Sequence, residues 1–529
     1  MVQSVSSRAW GFLISASLLA TACGNDSKLV PASLAPAAPL AGSGTAAAPT
    51  QPPAAAPAAG SAAASMPPST VPTAAAGTAA SAAGSGVGPA APPSNQGPTM
   101  PPPVPSTEPT LPPNASQWAM MGYDLGSTYN NTKETKLTKQ NAAMLTEIWT
   151  ADMGGNVYGA PLQIGDRIYA SSASIRAFDA AKGTELWKLA VGSTSSLAYD
   201  NGILYLNENK GQIVAVDAKD GRMLWRQKAD TQPSDGSSST LVVGDVVLIG
   251  GSNGNIELGG GSFRGYLSAL DKLTGALRWT AYTVPENAQG ASIWSSPSAD
   301  LAAGLAFGAT GNNYGAPATD TSDAFIAFDL KTGAIKWKNQ RVMGDTFGRG
   351  LGPDADFGAN PVVFETMLDG MPTKVVAAGN KGGQAHAVRM ADGKLLWERM
   401  LCSGGADGSR GVFVNSSWSG KHVLLACNEG GPSTLFALDP ATGNIAWMRR
   451  LPAQVWGRIS IANGVGFAGV GSTLEVFDVD SGATIKSFPS KAGTVAGTIS
   501  IANGRVAFGE GLTWSSGRAG RTLTVLALP

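Results

Sequence analysis

Ala177-Phe178-Asp179-Ala180-Ala181-Lys182-Gly183-Thr184-Glu185-Leu186-Trp187 is the stretch that decides the fold. An apolar strand ends in Asp, whose carboxylate can accept from turn amides. Gly183 supplies the positive φ that closes the turn, and a second strand carrying Trp follows. The same Ala-x-Asp-x-x-x-Gly-x-x-x-Trp frame recurs at Asp217/Gly221/Trp225, Asp271/Gly275/Trp279, Asp329/Gly333/Trp337 and Asp439/Gly443/Trp447, with degenerate copies at Arg389/Gly393/Trp397 and Asp478/Gly482. The indole is too large to be buried inside one small sheet, but it can fill the gap to the next sheet, against a small Ala there. The repeat predicts an all-β stack of blades, a β-propeller.

Successive units are spaced from 38 residues (Asp179 to Asp217) to 60 (Asp329 to Arg389), as suits one four-stranded blade plus loops. Seven units are visible. The run Thr522 to Leu528 is a strand with no hairpin partner after it, and Trp118 to Trp149 is a partial unit before the first. Pairing the two ends would give an eighth blade and remove the open edge, so eight blades are expected, with seven as the alternative. Composition agrees: 68 Gly and only 14% charged residues suit short strands and tight turns. With 37 basic and 37 acidic side chains, nothing favours nucleic acid as a partner.

Three segments are expected. Residues 1–23 read as an export signal: Arg8, an apolar run from Trp10 to Ala20, and Leu19-Ala20-Thr21-Ala22-Cys23, which resembles a bacterial lipobox with Cys23 as the lipidated residue. An ordinary cleaved signal peptide is the competing reading. Gly24 after the cysteine implies an outer-membrane destination, facing the periplasm or the surface. Residues 24–115 are rich in Ala, Pro, Gly, Ser and Thr, without a charge from Leu29 to Thr107, and read as a disordered tether. Residues 116–529 carry the propeller.

The widest unit spacings hold the residues that resemble the pyrroloquinoline quinone (PQQ) dehydrogenase family, and within it the polyvinyl alcohol dehydrogenases without their cytochrome c domain. Gly-Ser-Asn-Gly-Asn-Ile-Glu257 with Phe263-Arg264-Gly265-Tyr266-Leu267 resembles the segment in which a Glu ligates calcium. Ile293-Trp294-Ser295-Ser296-Pro297 and Ala309-Thr310-Gly311-Asn312-Asn313-Tyr314 resemble those giving the Trp under the quinone and the Asn on the metal. Thr319 to Ala324 and Gly352 to Gly358 are similar to the polyvinyl alcohol branch.

The resemblance implies roles that chemistry makes coherent. Calcium takes oxygen ligands, which Glu257 and Asn312 supply. A flat quinone needs an aromatic floor, Trp294, with Trp456 as a second tryptophan and Arg264 as a further cofactor contact. Lys381, in Gly379-Asn380-Lys381-Gly382-Gly383, would donate to a quinone oxygen, and Asp356, in Asp356-Phe357-Gly358-Ala359-Asn360, would take the alcohol proton. Each has a plainer reading: Trp294 as inter-blade packing, Glu257 and Asn312 as loop residues, Asp354 and Asp356 as turn caps. His386 and His422 lie in strand-like runs and read as structural.

The cysteines are Cys23, Cys402 and Cys427, with neither the family's adjacent pair nor Cys-x-x-Cys-His. Electrons would therefore pass to an external acceptor such as a cytochrome c, and Cys402 and Cys427 could pair in an oxidising compartment. Ala355 stands where the family has Trp. Two functions follow: a PQQ- and calcium-dependent oxidoreductase acting on an alcohol, polymeric in the polyvinyl alcohol branch, or a non-catalytic repeat-propeller lipoprotein serving as an envelope scaffold.

Overall fold

The computed structural model describes residues 116–208, 211–348, 352–405, 409–490, 492–512 and 517–529. The lipidation candidate Cys23 and the tether expected over 24–115 lie outside the described residues. Among those described, the strands form five four-stranded sheets, one five-stranded sheet and one nine-stranded sheet that is two meanders joined edge to edge. Each meander is a blade, and there are eight. Blade 1 runs from Leu162–Ile164 to Glu185–Leu189, and blades 2 to 6 follow, their first strands being Ala198–Asp200, Leu241–Val243, Ser298–Asp300, Val362–Leu368 and Ser416–Trp418. Blade 7 begins at Val455–Ala462 and blade 8 at Val495–Ala502.

The ends of the chain close the ring as expected. Blade 8 is Val495–Ala502, Arg505–Glu510 and Thr522–Ala527, completed by Thr146–Asp152 in antiparallel register from Thr146↔Ala527 to Asp152↔Thr522.

The repeat frame is explained residue by residue. Asp179 Oδ1 accepts from the amides of Ala181 and Lys182, and Gly183 sits at φ 69. The Trp of each unit donates to a carbonyl of the next blade's turn: Trp187 to Ala218, Trp225 to Lys272, Trp279 to Leu330 and Trp337 to Met390, at 2.9–3.2 Å. Trp397 and Trp447 continue the series to Pro440 and Val479, and Trp149 of the closing strand bonds Ala180. The indole face lies on the next unit's glycine more than on an Ala. A Cβ added at Gly221 would stand 2.5 Å from Trp187 Cε3. Seven junctions are clasped this way. Between blades 7 and 8 the Trp position holds Lys486, and there the inner strands pair directly, Gly457↔Gly497 and Arg458↔Thr498.

Residues 116–131 run along the inner strands of most blades. Trp118 pairs with Gln163, and the carbonyls of Ala119, Leu125, Gly126, Thr128 and Tyr129 accept from Tyr199, Ala299, Val363, Trp418 and Ile461 in turn. Tyr129 Oη then donates to Asn360 Oδ1 at 2.8 Å, tying this segment to the loop that carries Asp356. Cys402 and Cys427 form a disulfide with Cα atoms 6.2 Å apart, joining the loop after blade 5 to blade 6.

Candidate active site

The site is built where loops interrupt the meanders. The second strand of blade 3 ends at Gly251, and before Tyr266–Asp271 the chain makes a short helix, Gly254–Gly259, that carries Glu257. Asn253 caps it by accepting from Ile256 N, and Asp235 Oδ2 accepts from Gly254 N at 2.9 Å. Trp294 precedes the first strand of blade 4, and Asn312 follows the second. Asp354 and Asp356 lie in the loop leading into blade 5, and Lys381 in the turn between its second and third strands.

These elements bring Glu257, Trp294, Asn312, Asp356 and Lys381 to one cavity of about 210 Å³, with Asp235, Ser292, Gly311 and Tyr314 among its other walls. Asn312 Nδ2 donates to Glu257 Oε1 at 3.1 Å and to the Phe347 carbonyl at 2.6 Å. Trp294 Nε1 donates to Asp356 Oδ2 at 2.7 Å, and Lys381 Nζ lies 2.6 Å from Asp354 Oδ1 and 3.1 Å from Asp356 Oδ1. A Cβ on Gly311 would stand 2.9 Å from Asp356 Oδ2, so any side chain there would have to displace that carboxylate.

The electrostatics are those of a site short of positive charge. Burial, then the Asp356 carboxylate, push the Glu257 carboxyl up to about 8. Burial and Asp356 likewise raise Asp354 to about 7, against the pull of Lys381. Burial works against the charge on Lys381, but Asp356 and Asp354 outweigh it and its pKa is raised. Asn312 Oδ1 is buried with no hydrogen-bond partner. Asn312 turns its Nδ2 toward Glu257, but with the amide turned over, its orphaned oxygen and the Glu257 carboxylate are a fitting donor pair for a hard divalent cation, so the two residues suit calcium.

Two implied cofactor contacts stand apart from this cavity. Arg264 gives its guanidinium to the Val284 carbonyl through Nε at 3.1 Å and Nη2 at 2.8 Å, and covers the Tyr282 ring at 3.9 Å from its centroid. Neither Arg264 nor Trp456 is among the lining residues. Trp456 packs edge-on against Phe413, whose Cβ and Trp294 Cη2 both close on Gly358, so it backs the loop without touching the cavity. His386 and His422 are buried in or beside strands and are not among the residues lining the cavity. Sequence reasoning missed Asp354, read as a turn cap, and Tyr314, whose Oη lies 2.6 Å from Ser292 Oγ; both stood inside segments already singled out.

Fold and site together define a quinoprotein-type propeller with a buried acid and lysine cluster. The family model named PQQ_2 and described as outer membrane protein assembly factor BamB matches residues 110–198, 146–340, 318–419 and 381–526, and the chain belongs to this family. A polyvinylalcohol dehydrogenase of Sphingopyxis sp. (strain 113P3) is 29% identical over 355 residues, 56% of this chain and 54% of that one. A polyvinylalcohol dehydrogenase of a Pseudomonas sp. is 27% identical over 448 residues, 72% and 69% of the two chains. The match to the first thus spans about half of that relative's length. The solved structure of a quinohemoprotein alcohol dehydrogenase from Comamonas testosteroni aligns with TM-score 0.66 at 18% identity over 78% of this chain and 80% of that one, a likeness of fold.

Proposed function

We propose that the protein is a PQQ- and calcium-dependent oxidoreductase that takes an alcohol to its aldehyde or ketone. The observation that carries this reading is the gathering of Glu257, Asp356 and Lys381 on one cavity, with the buried Asp354 behind Lys381, at a cost in desolvation that a docking ring has no reason to bear. Glu257 and Asn312 Oδ1 would hold calcium, and Trp294 would form the floor under the quinone. Bound PQQ would supply the hydride acceptor and calcium the charge that polarises it. Lys381 stabilises negative charge developing opposite it, and Asp356, oriented by Trp294 Nε1, receives the hydroxyl proton. Polyvinyl alcohol is the first substrate to test, since two relatives carry that name. Electrons would leave to an external acceptor such as a cytochrome c. The lipobox-like Cys23 supports a lipid-anchored protein of the cell envelope, outer membrane included, with 1–23 as signal and 24–115 as tether.

A scaffold role is the second reading, favoured by the family model's description as an assembly factor. Reconstitution separates them. The purified protein given calcium and PQQ should retain quinone absorbance and reduce a dye when alcohol is added; no retained quinone would leave the scaffold reading. Glu257→Gln should lose calcium and quinone affinity together. Asp356→Asn should keep the quinone while turnover drops by roughly two to four orders of magnitude.

A further inference from the structure

We propose that Asp354 is a positioning residue: it takes the hydrogen bond of the Lys381 ammonium, which Asp356 would otherwise hold alone, and so keeps Asp356 Oδ1 able to accept the substrate's proton. The inference rests on the reading of Asp356 as the base. Of the two oxygens of Asp356, Oδ2 is occupied by Trp294 Nε1 at 2.7 Å. Oδ1 is buried and accepts no hydrogen bond, although Lys381 Nζ stands 3.1 Å away. The hydrogen bond of that ammonium goes instead to Asp354 Oδ1 at 2.6 Å. A carboxylate that held the lysine alone would be a weak base, because the ion pair favours its charged form. Sharing the ammonium between two carboxylates lessens that effect, since the shorter contact goes to Asp354 and the longer, 3.1 Å, to Asp356 Oδ1.

The backbone is arranged for this sharing. Asp354 has φ 53, in the left-handed region that L-residues rarely occupy outside constrained sites. The turn is held on both sides, by Ala355 N on Asp345 Oδ2 at 2.7 Å and by Lys381 N on the Asp356 carbonyl at 2.9 Å. In an extended chain, side chains two residues apart point the same way but stand about 7 Å apart. Here both reach one ammonium. The other acidic groups facing this pair are Glu257 on the blade 3 helix, the buried Asp323 on blade 4, which acts on both Asp354 and Asp356, and Asp345, which holds the amide of Ala355 between them.

Asp354→Asn in the protein loaded with calcium and PQQ is the test. We expect kcat to fall about tenfold with KM and quinone content unchanged, and the acidic limb of the kcat profile to move about one pH unit lower as Asp356 inherits Lys381. Asp354→Glu should recover part of the rate. Infrared titration of the Asp356 carboxylate in protein without quinone, assigned by difference from Asp356→Asn, should show the same downward shift. An unchanged Asp356 midpoint in Asp354→Asn, or a lower rate with an unmoved pH profile and a lower Tm, would make Asp354 a loop cap and overturn the proposal. A wild-type protein that binds no quinone would instead sink the oxidoreductase reading, and the infrared midpoint would still decide whether Asp354 tunes Asp356.

Discussion

Trp279 and Trp294 lie on neighbouring blades and use one side chain in two ways. Trp279 is a clasp: its Nε1 bonds the Leu330 carbonyl, and its face lies on Gly333 of the next blade. Trp294 gives its Nε1 to a carboxylate, Asp356, and borders a cavity. The clasp satisfies a backbone acceptor and buries apolar surface, so it stabilises the ring. Trp294 instead orders an acidic group that costs free energy to bury. The ring is repetitive and stable, and the site is irregular and charged. Blades 3 to 5, which carry most of the site, are also those with loops long enough to leave the frame.

Opening the ring has the largest expected effect. Deleting Thr522–Pro529 removes the strand that pairs with both Thr146–Asp152 and Arg505–Glu510. It also leaves Trp149 without the sheet that positions it. Cooperative thermal unfolding should disappear in calorimetry. A truncated protein that melts as the intact one does would show that blade 8 is dispensable.

Exchanging the two tryptophans' fates comes next. Trp279→Ala should cost about 3–5 kcal/mol in urea unfolding, the range for a truncated large aromatic. Trp294→Ala, beside a cavity and over a desolvated carboxylate, should cost far less stability while abolishing quinone retention. Equal losses of stability would mean that Trp294 is an eighth packing residue and no part of a binding site.

Sequence alone showed the clasps better than the site, for a physical reason. Asp179, Gly183 and Trp187 each do a job defined by local backbone, so the frame repeats and can be read. Asp354 acts on Lys381 across 27 residues, and only the fold brings them together; Gly-Pro-Asp by itself reads as a turn. Arg264 sits in a matching segment, yet the Val284 carbonyl and the Tyr282 ring take its side chain, which no motif discloses. The unclasped seam between blades 7 and 8 was equally hidden, since Lys486 looks like a worn copy of the repeat and not like a junction closed by backbone pairing.

A smaller effect tests where the two regions meet. His386 is fully buried on blade 5, with Asn380, the neighbour of Lys381, 3.2 Å from its Nε2 and Arg341 donating to Nδ1. Burial pulls its pKa down to about 4, with Arg341 adding to this and Glu398 opposing. A folded-state pKa below the unfolded value gives stability that is present above about pH 6.5 and is lost as pH falls toward 4. The loss between pH 7 and pH 5 should be about 2 kcal/mol in urea unfolding, and His386→Gln should flatten it. A wild-type midpoint unchanged over that range would put His386 in contact with water.

A pair of glycine variants isolates the clasp itself. Gly221 and Gly304 share a left-handed backbone, at φ 78 and φ 66, so an added methyl strains both alike. They differ in what that methyl meets: at Gly221 it would stand 2.5 Å from Trp187 Cε3, while at Gly304 nothing lies within 4 Å. Gly304→Ala should therefore cost about 1 kcal/mol, the conformational term alone. Gly221→Ala must also push the Trp187 indole out of its place or shift a turn, adding about 1–3 kcal/mol of overpacking. The difference between the two variants in urea unfolding measures the clasp with the backbone term removed. If the two cost the same, the indole yields freely, and the ring is held by its strands more than by its tryptophans.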